Sequence, residues 1–143
     1  MPEATNETTI AQPPEIVFAY LANAENDVEW RPGVVEIASA GGEGVGARYR
    51  QVVGGPGGRR IDADIEITEY EPDRRLAFRT VAGPVRPTGT YELTQADGGT
   101  HVRFSLRADL SGAKRLMAPM VRKAMASEVG NLENLKRKLE AQR

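Results

Sequence analysis

Hydrophobic and polar positions change rhythm twice along the chain. Residues Met1 to Asn6 read as a polar lead-in, with Thr8-Thr9-Ile10 part of a first strand. Over Pro14–Ala22 the residues Val17, Tyr20 and Leu21 recur at i, i+3, i+4, which predicts a short amphipathic helix. Proline is tolerated at its start, where the missing N–H has no partner to lose. From Val34 to Ala108, short runs rich in Val, Ile, Tyr, Phe and Thr alternate with GGEGVG, GGPGG, EPDRR, AGP and ADGG. Six strands are predicted near Val34–Ala40, Ala47–Val53, Arg60–Tyr70, Leu76–Val81, Val85–Thr94 and Thr100–Ala108. Their short connections favour an antiparallel meander, and Pro87 predicts an irregular start to the fifth. Residues 111–143 form a helical segment: Ala118, Val121, Met125, Glu128, Leu132, Leu135 and Leu139 follow a 3-4 spacing along one stripe. Pro119 marks a start or a kink, and a helix counted from it spans ~35 Å at 1.5 Å per residue.

Alternation sorts the strand residues onto two faces. One face takes Ala47, Tyr49, Gln51 and Val53, then Ile61, Ala63, Ile65 and Ile67, then Leu76, Phe78 and Thr80. It continues with Gly89, Tyr91 and Leu93, then Val102, Phe104, Leu106 and Ala108. The other face takes Arg48, Arg50, Asp62, Asp64, Glu66, Arg79, Glu92, Arg103 and Arg107, rows of opposite charge that can pair across strands. One wet face and one buried face follow.

The stretch NAENDVEWRPG is polar, ends in Pro-Gly, and holds the only tryptophan. Asn26 or Asp27 is expected to cap a second helical turn there, aiming Trp30 inward. Trp30 then either plugs one end of the core or forms part of a pocket wall, with its N–H seeking a polar partner. Both readings require it to be buried.

Composition removes several function classes. A chain of 143 residues with 40% hydrophobic and 27% charged residues fits one domain over 1–143. A formal net charge of −1 offers no bulk attraction to nucleic acid or to an anionic membrane. The absence of cysteine excludes disulfides and thiolate metal sites. MPEATNETTI lacks the marks of a signal peptide, and no apolar run is long enough for membrane insertion, so a cytoplasmic protein is expected.

Conventional catalytic constellations are scarce. His101 is the only histidine and alternates to the wet face, so no metal site is expected. GGEGVG lacks the G-x-G-x-x-G spacing of a dinucleotide loop and joins two strands, so it reads as a hairpin turn, and no cofactor is expected. The arginines of GGPGGRR, and Arg86, are expected at the surface. Tyr49, Gln51, Thr80 and Tyr91 are polar groups on the buried face; they either bond one another or orient a ligand. Glu128 is a carboxylate within the apolar helix stripe. It either forms a salt bridge at the stripe edge, for instance with a sheet arginine, or serves as a pocket acid.

The order of elements resembles the helix-grip fold of the START, birch-pollen-allergen and polyketide cyclase group. PPEIVFAYLANAENDVEWRPGV, ITEYEPDRRLAFRT, GPVRPTGTYEL and ADLSGAKRLMAPMVRKAMASEVGNLENLKRKLE are similar to bacterial polyketide cyclase/dehydrase-like (SRPBCC) proteins, over about Thr8 to Glu140. The resemblance implies an α+β fold: a curved antiparallel sheet of six to seven strands around a long C-terminal helix, with two short helices after the first strand. A cavity between sheet and helix is expected unless Phe78, Phe104 and the methionines fill it. Its ligand-binding residues would be Trp30, Tyr49, Gln51, Ala63, Ile65, Phe78, Thr80, Tyr91 and Phe104 from the sheet side. Met120, Val121, Met125 and Glu128 would face them from the helix. Binding of a small hydrophobic molecule (lipid, polyketide or aromatic metabolite) by a monomer or homodimer is the first reading. A cyclase, aromatase or dehydratase using Tyr49, Tyr91 or Glu128 as acid/base is the second. A third is an interaction module with apolar surface around Leu116, Met117 and Met120.

Overall fold

Glycine-rich turns at short intervals make the chain reverse repeatedly, and each reversal places a strand beside its predecessor. The computed structural model describes residues 2–142. Its elements begin with β1 (Glu3–Ile10), α1 (Pro14–Ala22), a 3-10 turn (Ala24–Glu29), β2 (Val34–Gly41) and β3 (Arg48–Gly54). Then come β4 (Arg60–Asp62), β5 (Ile65–Glu71), β6 (Arg75–Thr80), β7 (Thr88–Ala96) and β8 (Gly99–Arg107). A further 3-10 turn (Gly112–Met117) leads into α2 (Ala118–Gly130) and α3 (Leu132–Glu140). The strands form one antiparallel sheet in the order β1-β8-β7-β6-β5-β3-β2, with β4 beside β3. The architecture is α+β, as the pattern predicts.

Three boundaries differ from expectation, each for a local reason. The predicted polar lead-in is mostly strand: β1 pairs with β8 along its whole length, from Glu3↔Arg107 to Ile10↔Thr100. Its inward positions Asn6 and Thr8 are polar, which hid the alternation, and Asn6 Nδ2 donates to the Val129 carbonyl of α2 at 3.1 Å. The predicted strand Arg60–Tyr70 is broken at Ala63–Asp64. There the Gln51 N–H goes to the Asp64 carboxylate (3.2 Å) instead of a ladder carbonyl, so the ladder is interrupted between β4 and β5. The fifth predicted strand begins at Thr88 and not Val85, because Pro87 has no N–H, although its carbonyl still accepts from Thr80 N at 3.0 Å.

The terminal helix is also not continuous. Pro119 stands in the first turn of α2, and the axis bends at Asn131, between α2 and α3. Gly130 carries little helix propensity, and Asn131 N donates to the Glu128 carbonyl in a tighter turn. The stripe survives the bend: Val121, Met125, Leu132, Leu135 and Leu139 are buried together with Val129. α2 and α3 lie against β1, with α2 also on β8, while α1 covers β6, β7 and β8.

On the outer face the charge rows do pair. Glu66 takes Arg48 at 3.0 Å and Arg79 at 2.7 Å, and Arg75 reaches Glu69 at 3.0 Å. Pairs this exposed contribute little each. The inner face carries the stability. Gly89 lies under the ring of Phe78, where an added Cβ would stand 2.3 Å from Phe78 Cζ, so the strand crossing requires glycine. Leu135 is fully enclosed. Leu135→Ala is therefore expected to lower unfolding free energy by about 2–5 kcal/mol, measured by urea denaturation, without altering the sheet.

Candidate functional site

The NAENDVEWRPG stretch builds the site. Asn23 caps its 3-10 turn, its side chain accepting from Glu25 N at 3.3 Å. Neither Asn26 nor Asp27 fills that place: Asn26 Nδ2 donates back to the Tyr20 carbonyl at 3.0 Å, and Asp27 turns inward. The N–H groups of Trp30 and Arg31 both return to the Asp27 carbonyl, which places the Asp27 and Arg31 side chains on the same side. Pro32 stops the turn, and Gly33 O accepts from Gly54 N at 2.9 Å, which ties the loop to β3. From the helix side, Asn134 Nδ2 donates to the Trp30 carbonyl at 3.1 Å. Trp30 is 2% exposed, as both readings of it require.

Beside Trp30 the guanidinium of Arg31 is buried and joins three elements. Its Nη1 donates to Asp27 Oδ2 at 2.8 Å and to Gln51 Oε1 at 3.2 Å, and its Nε donates to Glu128 Oε1 on α2. Gln51 in turn donates to the Ala63 carbonyl at 2.9 Å. Glu128 thus has an arginine partner, although it comes from the loop after the 3-10 turn and not from the sheet. Its other oxygen lies beside Gly33.

Two donors next to this cluster have no partner among the described residues. Trp30 Nε1 and the Tyr91 hydroxyl are buried without a hydrogen bond. The indole N–H is near enough to Asp27 to favour its charged form, but it does not reach hydrogen-bond geometry. The aromatic rings pack closely: Tyr91 stacks on Phe104 at 4.4 Å between centroids, and Trp30 meets both edge-on at 6.3 and 6.2 Å. Phe78 tilts against Tyr91 at 6.3 Å.

Burial sets the titration. It pushes the Asp27 carboxyl up to about 6, even though Arg31 opposes the shift. Burial also disfavours the charge of Arg31, but Glu128 and Asp27 outweigh it and hold the guanidinium above its ordinary range. For Tyr91, burial first and then the Asp27 charge raise the phenol well above its usual value. Tyr91 is consequently a hydrogen-bond donor at neutral pH and not a phenolate. With all three groups ionised the Asp27–Arg31–Glu128 cluster carries one net negative charge.

The remaining predicted residues divide. Gln51, Ile65, Thr80, Val121 and Met125 are buried around the cluster or on the same inner face, and Ala63 is half-buried. Tyr49 is half-buried and sends its hydroxyl to the Ala22 carbonyl at the end of α1 (3.3 Å), away from the cluster. Met120 is 52% exposed on the outside of α2. Sequence reasoning missed Asp27 and Arg31. Their signal was the D-x-x-x-R spacing around a tryptophan that had to be buried, since a turn that carries Trp30 inward carries Asp27 and Arg31 with it.

Two open grooves lie elsewhere. One of about 1070 Å³ runs between Ala11–Glu15, the β5–β6 turn and the β7–β8 turn. Another of about 330 Å³ lies on the outer face at Glu3, Thr88, Arg103 and Arg107. Neither meets the Arg31 cluster, so neither is the cavity expected between sheet and helix. That expected space is taken up beside Trp30 by aromatic packing. Half-buried Val53, Ile61, Ala63 and Val81 remain along the far end of the inner face. Among the described residues no group of His, Asp and Glu side chains is placed to hold a metal ion, and no helix is long and apolar enough to cross a membrane.

A family model described as polyketide cyclase / dehydrase and lipid transport matches residues 1–140. None of the curated proteins matches the sequence. Among solved structures, TTHA0849 from Thermus thermophilus is 25% identical, with TM-score 0.83 and 99% of each chain covered. DR_A0006 from Deinococcus radiodurans is 20% identical, with TM-score 0.74 and 99% of each chain covered. The di-domain ARO/CYC protein BexL, from the BE-7585A biosynthetic pathway, is 20% identical with TM-score 0.78; the match covers 98% of this chain and 47% of BexL. These likenesses establish the helix-grip architecture.

Two expectations follow from the cluster. Arg31→Met strands two carboxylates and should destabilise the protein by about 3–5 kcal/mol in urea denaturation. For Asp27, the folded state keeps a proton up to about pH 6 while the unfolded state releases it near 3.8. Between those values the folded state binds more protons, so this group's contribution to stability falls as pH rises from about 4 to 6 and is flat above. Asp27→Asn should remove that fall, which amounts to roughly 3 kcal/mol. Equal slopes for the two proteins over this window would contradict the assignment.

Proposed function

We propose, from the premise that this chain belongs to the polyketide cyclase / dehydrase and lipid transport family, that it binds a small, largely apolar molecule between the inner face of the sheet and α2. An oxygen of that molecule accepts hydrogen bonds from Tyr91 and Trp30. The observation that carries this reading is the pair of buried, unpartnered donors beside Arg31. Buried polar groups in folded proteins are almost always paired. A phenylalanine at position 91 would stack on Phe104 equally well without the burden of an unmet hydroxyl. Phe78, Phe104, Ile65, Val121 and Met125 supply the apolar surroundings that such pockets have. Because the rings pack on one another, occupancy displaces side chains, and the half-buried far end of the inner face is the path with least to move.

Native mass spectrometry of freshly purified protein, with extraction of any retained molecule, tests the reading directly. Titration with naphthyl ketones should also shift the emission of Trp30, the single tryptophan. Tyr91→Phe should leave the unliganded protein at least as stable while weakening ligand affinity about three- to tenfold. A protein that emerges empty, and whose emission none of these compounds moves, speaks against binding.

A second reading, a cyclase or aromatase, has one specific support: the buried Asp27 carboxyl, pushed up to about 6, lies close enough to Tyr91 for its charge to act on the phenol. Under it, turnover of a poly-β-keto substrate should change near pH 6, and Asp27→Asn should abolish that dependence. Binding without turnover leaves the first reading alone.

A further inference from the structure

We propose that the segment Leu110–Lys123, which spans the 3-10 turn before α2 and the start of α2, is a docking surface for an anionic lipid leaflet. The proposal is independent of the pocket reading. Leu116 is 87% exposed and Met120 52% exposed, the two most conspicuous apolar side chains on this part of the molecule. Their neighbours Leu110 and Met117 are partly packed on the core, so the turn is anchored and Leu116 projects from it. Lys114, Arg115, Arg122 and Lys123 lie along the same segment, all exposed. Among the described residues none of the four forms an ion pair, whereas the arginines Arg48, Arg75 and Arg79 of the outer face do. From Leu110 to Ser127 there is no acidic residue. The run therefore carries +4 in a chain of net −1, leaving −5 on the rest of the molecule.

Charge complementarity selects the occupant. A second copy meeting the same patch would set +4 against +4. Two projecting side chains also fall far short of the about 800 Å² per partner that a stable protein interface buries. A lipid surface needs no such area: a few apolar side chains enter the headgroup boundary while flanking Lys and Arg meet anionic headgroups. Each cation near such a surface favours binding by about fivefold. Met120 and Lys123, three residues apart, share one side of α2, so apolar insertion and cation contact occur together.

Co-sedimentation with lipid vesicles tests this. The wild-type protein should bind vesicles of phosphatidylcholine containing about 30% phosphatidylglycerol, and release in about 0.5 M NaCl. It should not bind phosphatidylcholine alone. Leu116→Glu, at an exposed position that leaves the urea midpoint unchanged, should lower binding at least tenfold. Lys123→Glu should lower it by about fivefold or more. Arg50→Glu, on the outer face, should leave it unchanged. Failure to bind the anionic vesicles overturns the proposal, as does equal binding to both vesicle types or an Arg50→Glu loss as large as that of Lys123→Glu.

Discussion

One buried guanidinium organises the interior. Arg31 joins the Asp27 turn, the Gln51 position of β3 and the Glu128 position of α2, three elements far apart in sequence. Removing a cation and two carboxylates from water is expensive, and an apolar trio of equal volume is often as stable. The gain is in placement. An apolar contact tolerates sliding, whereas a planar fork with carboxylates on two sides fixes where the loop meets the helix. Trp30 is adjacent in sequence, so its ring position is set by the same lock, and Asn134 adds a tie from α3 to its carbonyl. The aromatic wall of Trp30, Tyr91 and Phe104 then follows.

That dependence explains what sequence reading could and could not see. Period-two alternation identified the inner face well: Gln51, Ile65, Phe78, Tyr91 and Phe104 are all buried. The helical stripe survived a bend because Val121 through Leu139 keep their spacing across Asn131. Alternation failed where inward positions are polar, as in β1, whose Asn6 bonds a helix carbonyl instead of filling a core. It also failed at Asp64, where a side chain replaces a ladder partner. Glu128 was conspicuous as a carboxylate in an apolar stripe, yet its partner was invisible to periodicity. Arg31 lies in an irregular loop, and loops carry no repeat from which to infer facing.

The same lock constrains chemistry. Arg31 is already matched by two carboxylates, so it offers no spare positive charge to attract an anion into the interior. The donors left over, Tyr91 and Trp30, are neutral, and burial holds the Tyr91 proton in place. On the proposed reading, the site meets a neutral acceptor within apolar walls and does not capture a charged group. Family membership cannot supply this distinction, because one fold hosts many functions and the difference resides in a few side chains.

Charge on this molecule is thus sorted by place. On the outer face, acidic and basic rows neutralise each other across strands, with Glu66 between Arg48 and Arg79. Inside, one arginine is held by two acids. Along Leu110–Ser127 four cations stand without an acidic residue between them, beside Leu116, the most exposed large apolar side chain among the described residues. Folding alone does not require that arrangement, since Leu116 contributes no burial and four like charges on one segment repel. An exposed leucine beside unpaired cations is a local conflict within a chain whose other choices agree, and such conflicts concentrate where a protein meets something else.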